Sequence, residues 1–264
     1  MKKRKHAYLI MAHNEFEVLK KLIIILDDKR NDIYIHIDRK VTNFNKRDYE
    51  SLVTHSNIYF VNRIKVTWGG DSMIKCELLL LEEAYKVGYE YYHLSIDNED
   101  IGNDYAMRRV KEYYFFQNLT GRNEDKLSLI LKKFQLAFIK FQKFLNINRI
   151  NKNNIKYYKG SNWFSLKHET VSYILNNKSF IKKLFFKGIC ADEMFLQTLL
   201  YNKKKKKSII NDDLRYIDWS RGNPYVFDKS DFDKLIASKD LFARKFTSSN
   251  GVTDLLFDYL KDKK

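Results

Sequence analysis

The chain has 264 residues, with 49 Lys or Arg against 33 Asp or Glu for a formal charge of +16, and it is 44% hydrophobic and 15% aromatic. That apolar content excludes a disordered chain, and one proline, nine glycines and the lack of a Ser/Gly-rich tract leave no visible linker, so a single domain over residues 1–264 is expected. Cys76 and Cys190 are too few for a disulfide scaffold or a cysteine-rich zinc site, and no stretch approaches the roughly 20 apolar residues that cross a bilayer.

Tyr8 to Ala12 is a continuous apolar run, as in a strand buried on both faces, and Phe16, Leu19, Leu22 and Ile23 follow with helical spacing. The basic segment Met1 to His6 precedes it, but the apolar run is too short for a signal peptide and lacks a small-residue cleavage site, so a cytoplasmic chain is expected. Ile33 to Ile37 predicts a second strand, closing on Asp38, and strand, helix, strand over about thirty residues is a parallel crossover. A third strand at Ile58 to Phe60, a helix from Ser72 to Tyr85 and a fourth strand at Tyr91 to Ser95 continue the alternation. Residues 1–100 therefore predict an open α/β sheet with its ligand at the carboxyl ends of the strands, where His13, Asp38 and Asp97 fall. This half reads as nucleotide-binding, and residues 101–264 as the acceptor and catalytic half.

Lys126 to Leu145 carries five lysines, no acidic residue and one apolar stripe: Leu127, Ile130, Leu131, Phe134, Phe138, Phe141 and Leu145. An ordinary helix packing that stripe on the core is the simpler reading, and a helix lying in a lipid interface is the other. Gly160 to Leu166 predicts a strand entering a helix at Glu169 to Leu175, Asp192 to Leu200 another helix, and Leu214 to Trp219 a late strand before a turn at Arg221 to Pro224.

The positive charge implies a polyanionic partner, either a phosphorylated substrate, an anionic lipid surface or nucleic acid, the plainer alternative being a lysine-rich composition that merely coats the surface. Nucleic acid is not expected, because no helix-turn-helix, RNP-like or zinc-finger pattern is present. Walker and Rossmann glycine loops, a His-Glu-x-x-His zinc site and a Gly-x-Ser-x-Gly elbow are also missing. What remains is an acid pair, Asp192-Glu193, and a cation pair, Arg244-Lys245, set between Phe242 and Phe246. A carboxylate of ordinary acidity is ionised at neutral pH and can take the proton of an attacking hydroxyl, the role assigned to Glu193, with Asp192 capping the helix and holding its neighbour. A departing diphosphate can be stabilised by protein cations or by a divalent metal. Arg244-Lys245 offers the first, and the acidic turn with Asp97 and Glu99 offers Mn2+ or Mg2+ as the alternative.

Six segments together resemble the core-2/I-branching β-1,6-N-acetylglucosaminyltransferases, a family that includes peptide O-xylosyltransferases. They are Ala7-Tyr-Leu-Ile-Met-Ala-His13, Tyr34-Ile-His-Ile-Asp-Arg-Lys40, Val66-Thr-Trp-Gly-Gly70, Gly160-Ser-Asn-Trp-Phe164, Asp192-Glu-Met-Phe195 and Leu241-Phe-Ala-Arg-Lys-Phe246. The resemblance implies a GT-A-like domain with a mostly parallel central sheet flanked by helices, and metal-independent inverting transfer from a UDP-sugar, N-acetylglucosamine first among candidates. It implies Glu193 as base, Met11, His13 and Asp38 bordering the uridine, and Lys245 with an upstream arginine on the diphosphate. Arg221 is nearest in register for that arginine, with Arg215 and Arg244 as alternatives. Trp68, Asp97 and Trp163 fall on the donor-sugar and acceptor side. Where the family shows a Ser-Gly-x-Asp-x-Pro turn, this chain has Ser95-Ile-Asp-Asn-Glu-Asp-Ile101, which leaves sugar and acceptor open. Without the membrane anchor and cysteine richness of animal members, a bacterial enzyme is expected, peripheral on the inner face of the membrane and acting on a lipid-linked surface glycan.

Overall fold

The computed structural model describes residues 5–94, 103–150, 155–160, 162–203, 214–222 and 224–264. Among these the chain runs β1 (His6–Ala12), α1 (Phe16–Leu26), β2 (Asn31–Ile37), α2 (Arg47–Glu50), β3 (Asn57–Phe60), α3 (Asp71–Val87) and β4 (Tyr91–Leu94). It continues through α4 (Asn103–Lys111), α5 (Gln117–Thr120), α6 (Lys126–Phe144), β5 (Phe164–Lys167), α7 (His168–Asn176), α8 (Lys178–Phe185) and α9 (Asp192–Tyr201). β6 (Arg215–Ile217), α10 (Phe232–Ala237), β7 (Phe242–Arg244) and α11 (Val252–Asp262) complete it.

Five strands form one sheet in the order β3-β2-β1-β4-β5, parallel except for β5, which runs antiparallel to β4. The apolar runs read from the sequence are the strands buried on both faces. Ile10, Ile33, Ile35 and Ile37 pack with Leu19 and Ile23 of α1 on one side. Ala7, Leu9 and Tyr34, which alternate with them, pack with Ile74, Leu80 and Leu81 of α3 on the other. The expected mostly parallel sheet flanked by helices, the GT-A-like arrangement, is therefore present.

The chain crosses the sheet at β1, with β2 and β3 on one side and β4 on the other. Such a reversal opens a crevice at the carboxyl ends of the strands, the usual ligand position in an open α/β sheet. The small parallel sheet of β6 and β7 packs on the face of β1 and β4 and reaches the end of β4. Phe242 of β7 lies 6.3 Å from the Tyr8 ring and 6.2 Å from the His93 ring, and the buried Arg215 of β6 donates from Nη2 to the Leu94 carbonyl at 2.8 Å. Residues 95–102, with the metal-ligand candidates Asp97 and Glu99, lie outside the described residues.

His93 is sandwiched in this packing, its Nε2 2.9 Å from His6 Nδ1 and its Nδ1 2.8 Å from Ser165 Oγ. Burial first, then His6 and Arg215, pulls its pKa down to about 4. A histidine depressed in the folded state is neutral there but takes a proton in the unfolded chain below about pH 6.5. Its contribution is therefore fully present above that pH and is lost as pH falls toward 4. Asp192, described below, titrates in the opposite sense, so the measurement is a comparison with His93→Asn by chemical denaturation. Between pH 7.5 and pH 5, wild type is expected to lose about 2 kcal/mol more than the variant, and parallel pH profiles would contradict this.

Candidate active site

Glu193 is the second residue of α9, and its backbone carbonyl accepts from Gly160 N at 2.9 Å. A Cβ on Gly160 would stand 2.9 Å from Gln197 Cγ, so the glycine lets segment 156–160 lie against α9. Two further bonds fix that approach: Tyr158 N donates to Thr198 Oγ1 at 3.0 Å, and Thr198 Oγ1 donates back to the Tyr158 carbonyl at 3.1 Å. The segment brings Lys159, whose Nζ lies 3.6 Å from Glu193 Oε2. Arg109 of α4 pairs with the same oxygen and donates to the Cys190 carbonyl at 3.2 Å. Neither Arg109 nor Lys159 is marked by any local pattern in the sequence.

Asp192 does not cap the helix as the sequence suggested. Ala191 holds the cap position with no side-chain bond, and the Asp192 carboxyl turns into the core, where Oδ2 accepts from Asn162 Nδ2 at 2.8 Å. Burial, then Glu193, pushes its pKa up to about 7. A third carboxyl, Glu77 of α3, is fully buried and makes no hydrogen bond among the described residues. Burial, with Asp192 and Glu193 adding to it, raises its pKa well above the usual glutamate value, which favours the neutral acid. Of these three carboxyls only Glu193 is open to solvent, its side chain 22% exposed.

Asn162, the partner of Asp192, precedes Trp163, and Trp163 is the floor for two arginines. The Arg215 guanidinium lies 4.7 Å from its ring centre and 4.6 Å from that of Phe242, and Arg244 lies 5.3 Å from the Trp163 ring. Burial lowers the Arg244 pKa to about 10, which leaves it a cation at neutral pH. Lys245 follows at an exposed position. Arg221 is placed differently. It donates to Asp218 and Asp231, each at 2.6 Å, and stacks on Tyr225 at 3.9 Å, so its charge is matched by two carboxylates.

At the other end of the crevice, His13, Phe16, Asp38, Lys40 and Val41 line an open cleft of about 500 Å³ beyond β1 and β2. Asp38 is buried and accepts from Lys40 N at 2.9 Å and Val66 N at 3.4 Å. Met11 lies on β1, half-buried against the α3 side of the core. The Trp68-Gly69-Gly70 turn has a structural role. Gly69 O accepts from Cys190 N at 2.9 Å, and a Cβ on Gly70 would meet Asn118 Oδ1 at 2.5 Å, so the turn sits against the loop leading to Glu193. Trp68 itself is exposed, with the Arg122 guanidinium 3.9 Å from its ring centre.

The core-2/I-branching enzyme family matches residues 6–235, which takes in the sheet, the cleft, Glu193 and Arg221. The chain belongs to that family. Among relatives of known name, the chain is 22% identical over 280 residues to xylosyltransferase 2 of Canis lupus familiaris and 23% over 281 residues to that of Mus musculus, matching 92% of this chain in each case. It is 21% identical over 279 residues to the beta-glucuronosyltransferase GlcAT14B of Arabidopsis thaliana, over 94% of this chain and 64% of that protein. The chain spans about a third (32%) of the length of the two xylosyltransferases. The β7 motif Phe242 to Phe246 lies beyond the family match, and its placement rests on the geometry above.

Proposed function

We propose that this chain is an inverting glycosyltransferase that moves a sugar from a UDP-sugar to a hydroxyl of a glycan acceptor. The observation that carries the reading is the Asn162-Trp163 step, which joins the carboxyl pair at the start of α9 to the arginines of the small sheet. Glu193, next to Asp192, and the arginines that would on this reading receive the leaving group flank one short segment. In this reading the acceptor oxygen attacks the anomeric carbon and passes its proton to Glu193, while the bond to the UDP β-phosphate oxygen breaks. Arg109 and Lys159 meet Oε2 of Glu193, which leaves Oε1 for the acceptor hydroxyl. Lys245 and Arg244 take the charge of the departing UDP, and the cleft at His13 and Asp38 takes the uridine.

Transfer on this reading needs no metal. UDP is expected to raise the melting temperature of the protein with EDTA present, and EDTA is expected to leave turnover intact. UDP stabilisation that vanishes with EDTA and returns with Mn2+ would transfer the leaving-group role to the carboxylates Asp97 and Glu99. UDP-N-acetylglucosamine, UDP-xylose and UDP-glucuronic acid are the donors to compare, the last two because of what the relatives' names say they transfer. The acceptor fits a lipid-linked intermediate of a bacterial surface glycan assembled on the cytoplasmic side, since the chain is strongly basic and such acceptors sit on anionic membranes.

A further inference from the structure

The amphipathic helix is turned the opposite way from the simpler expectation. The side of α6 that meets the rest of the protein is polar: Ser128, Gln135 and Gln142, each seven residues from the next, are its buried residues. Gln142 accepts from Tyr113 N at 2.7 Å and donates to the Tyr113 carbonyl at 3.0 Å, and Gln135 accepts from Phe116 N and donates to Tyr113 O, both at 3.0 Å. These glutamines satisfy the backbone of the irregular segment between α4 and α5, which has no ladder of its own. Asp125 caps the helix by accepting from Ser128 N at 3.0 Å.

Most of its apolar residues face out, with Leu131, Phe138 and Ile139 half-buried. Leu127 is 65% exposed, Phe134 60%, Leu136 62%, Phe141 53% and Phe144 81%. At about 100° per residue, Leu127, Ile130, Phe134 and Phe141 lie roughly 80–140° round from Gln135 on one flank, with Lys126, Lys133 and Lys140 beyond them. The stripe continues onto the body of the protein, since Phe115, itself exposed, packs its ring edge-on to Phe138 at 5.3 Å. Scattered exposed apolar residues are ordinary, whereas a contiguous row of them on one helix marks an interaction surface.

We propose that α6 is an interfacial anchor that lays this row into the surface of an anionic bilayer. Charge selects the occupant. The helix carries five lysines and no acidic residue, so a second copy would set ten lysines against one another, while phosphate headgroups would neutralise them. A polyanion without an apolar phase, such as RNA, would leave the leucines in water. The anchor is tied by its glutamines to residues 113–116, which lead directly into Gln117, and Gln117 Nε2 donates to the Trp68 carbonyl at 2.9 Å. Docking would therefore hold the Trp68 side of the site against the surface on which a lipid-linked acceptor sits. The binding itself is independent of the sugar donor and is read without it.

The test is flotation with vesicles of phosphatidylcholine alone and of phosphatidylcholine with about one third phosphatidylglycerol. The protein is expected to float with the mixed vesicles. Phe134→Ser combined with Phe141→Ser should lower the partition coefficient roughly tenfold or more, and Lys133→Glu with Lys140→Glu should remove the preference for phosphatidylglycerol. Both pairs are exposed, and unchanged thermal melts would show that the fold is kept. Failure to float, or equal partition of wild type and the phenylalanine variant, overturns the anchor. So does a dimer in sedimentation velocity that this variant dissolves, which would make the occupant a second copy. Retention on RNA that the phenylalanine variant leaves unchanged, without flotation, would make it a nucleic acid.

Discussion

Glu193→Gln is expected to keep UDP binding and to lose transfer by roughly two to four orders of magnitude, the scale of a positioned general base. The reason is geometric as much as chemical. Three carboxyls gather near the start of α9, but Glu77 is sealed in the core, where burial favours its neutral form, and Asp192 points inward to Asn162 with its pKa pushed up to about 7. Glu193 alone faces solvent, with Arg109 and Lys159 on one oxygen. The amide is isosteric, so the fold and the nucleotide cleft on β1 and β2 should be untouched and UDP should still raise the melting temperature. Turnover close to wild type would remove Glu193 from the chemistry. Loss of UDP binding alongside activity would show instead that the carboxylate serves the architecture of the cleft.

The second large effect is expected at the cations. Lys245→Ala and Arg244→Ala should each lower kcat/KM by about 10²–10³, the cost of removing a donor aimed at charge that develops in the transition state, and each should weaken UDP. Arg221→Ala should leave UDP binding unchanged and lower only the melting temperature, because its guanidinium already bridges Asp218 and Asp231. Arg244→Lys separates packing from charge: it keeps the cation but loses the flat guanidinium over Trp163, so an intermediate effect is expected. A nucleotide titration in which Arg221→Ala loses UDP and Arg244→Ala does not would reverse the assignment.

Much of the architecture was legible before any coordinates. Tyr8 to Ala12 and Ile33 to Ile37 are continuous apolar runs because both faces of a parallel sheet are covered, and they became β1 and β2 nearly residue for residue. Glycine placement was legible in part. The Trp68-Gly-Gly pair showed as a motif, but only the fold shows that Gly70 yields space to Asn118. The two cations on Glu193 were not legible, because α4 and the segment before β5 meet α9 only through tertiary packing, and ion pairs between distant segments leave no periodic trace. The signal that could have oriented α6 was present: Ser128, Gln135 and Gln142 recur every seven residues, a polar seam that suits a helix laid on unpaired backbone.

The sequence by itself determined the alternation from β1 to β4, the parallel core, the family and the candidate pairs Asp192-Glu193 and Arg244-Lys245, because these depend on local periodicity and on contiguous motifs. Only the tertiary structure decided which carboxyl is open and which are sealed, which arginine is already matched by aspartates, and which way the stripe of α6 faces. Burial and charge pairing are properties of space between segments. A hydrophobic period fixes which residues share a face, but not what that face meets.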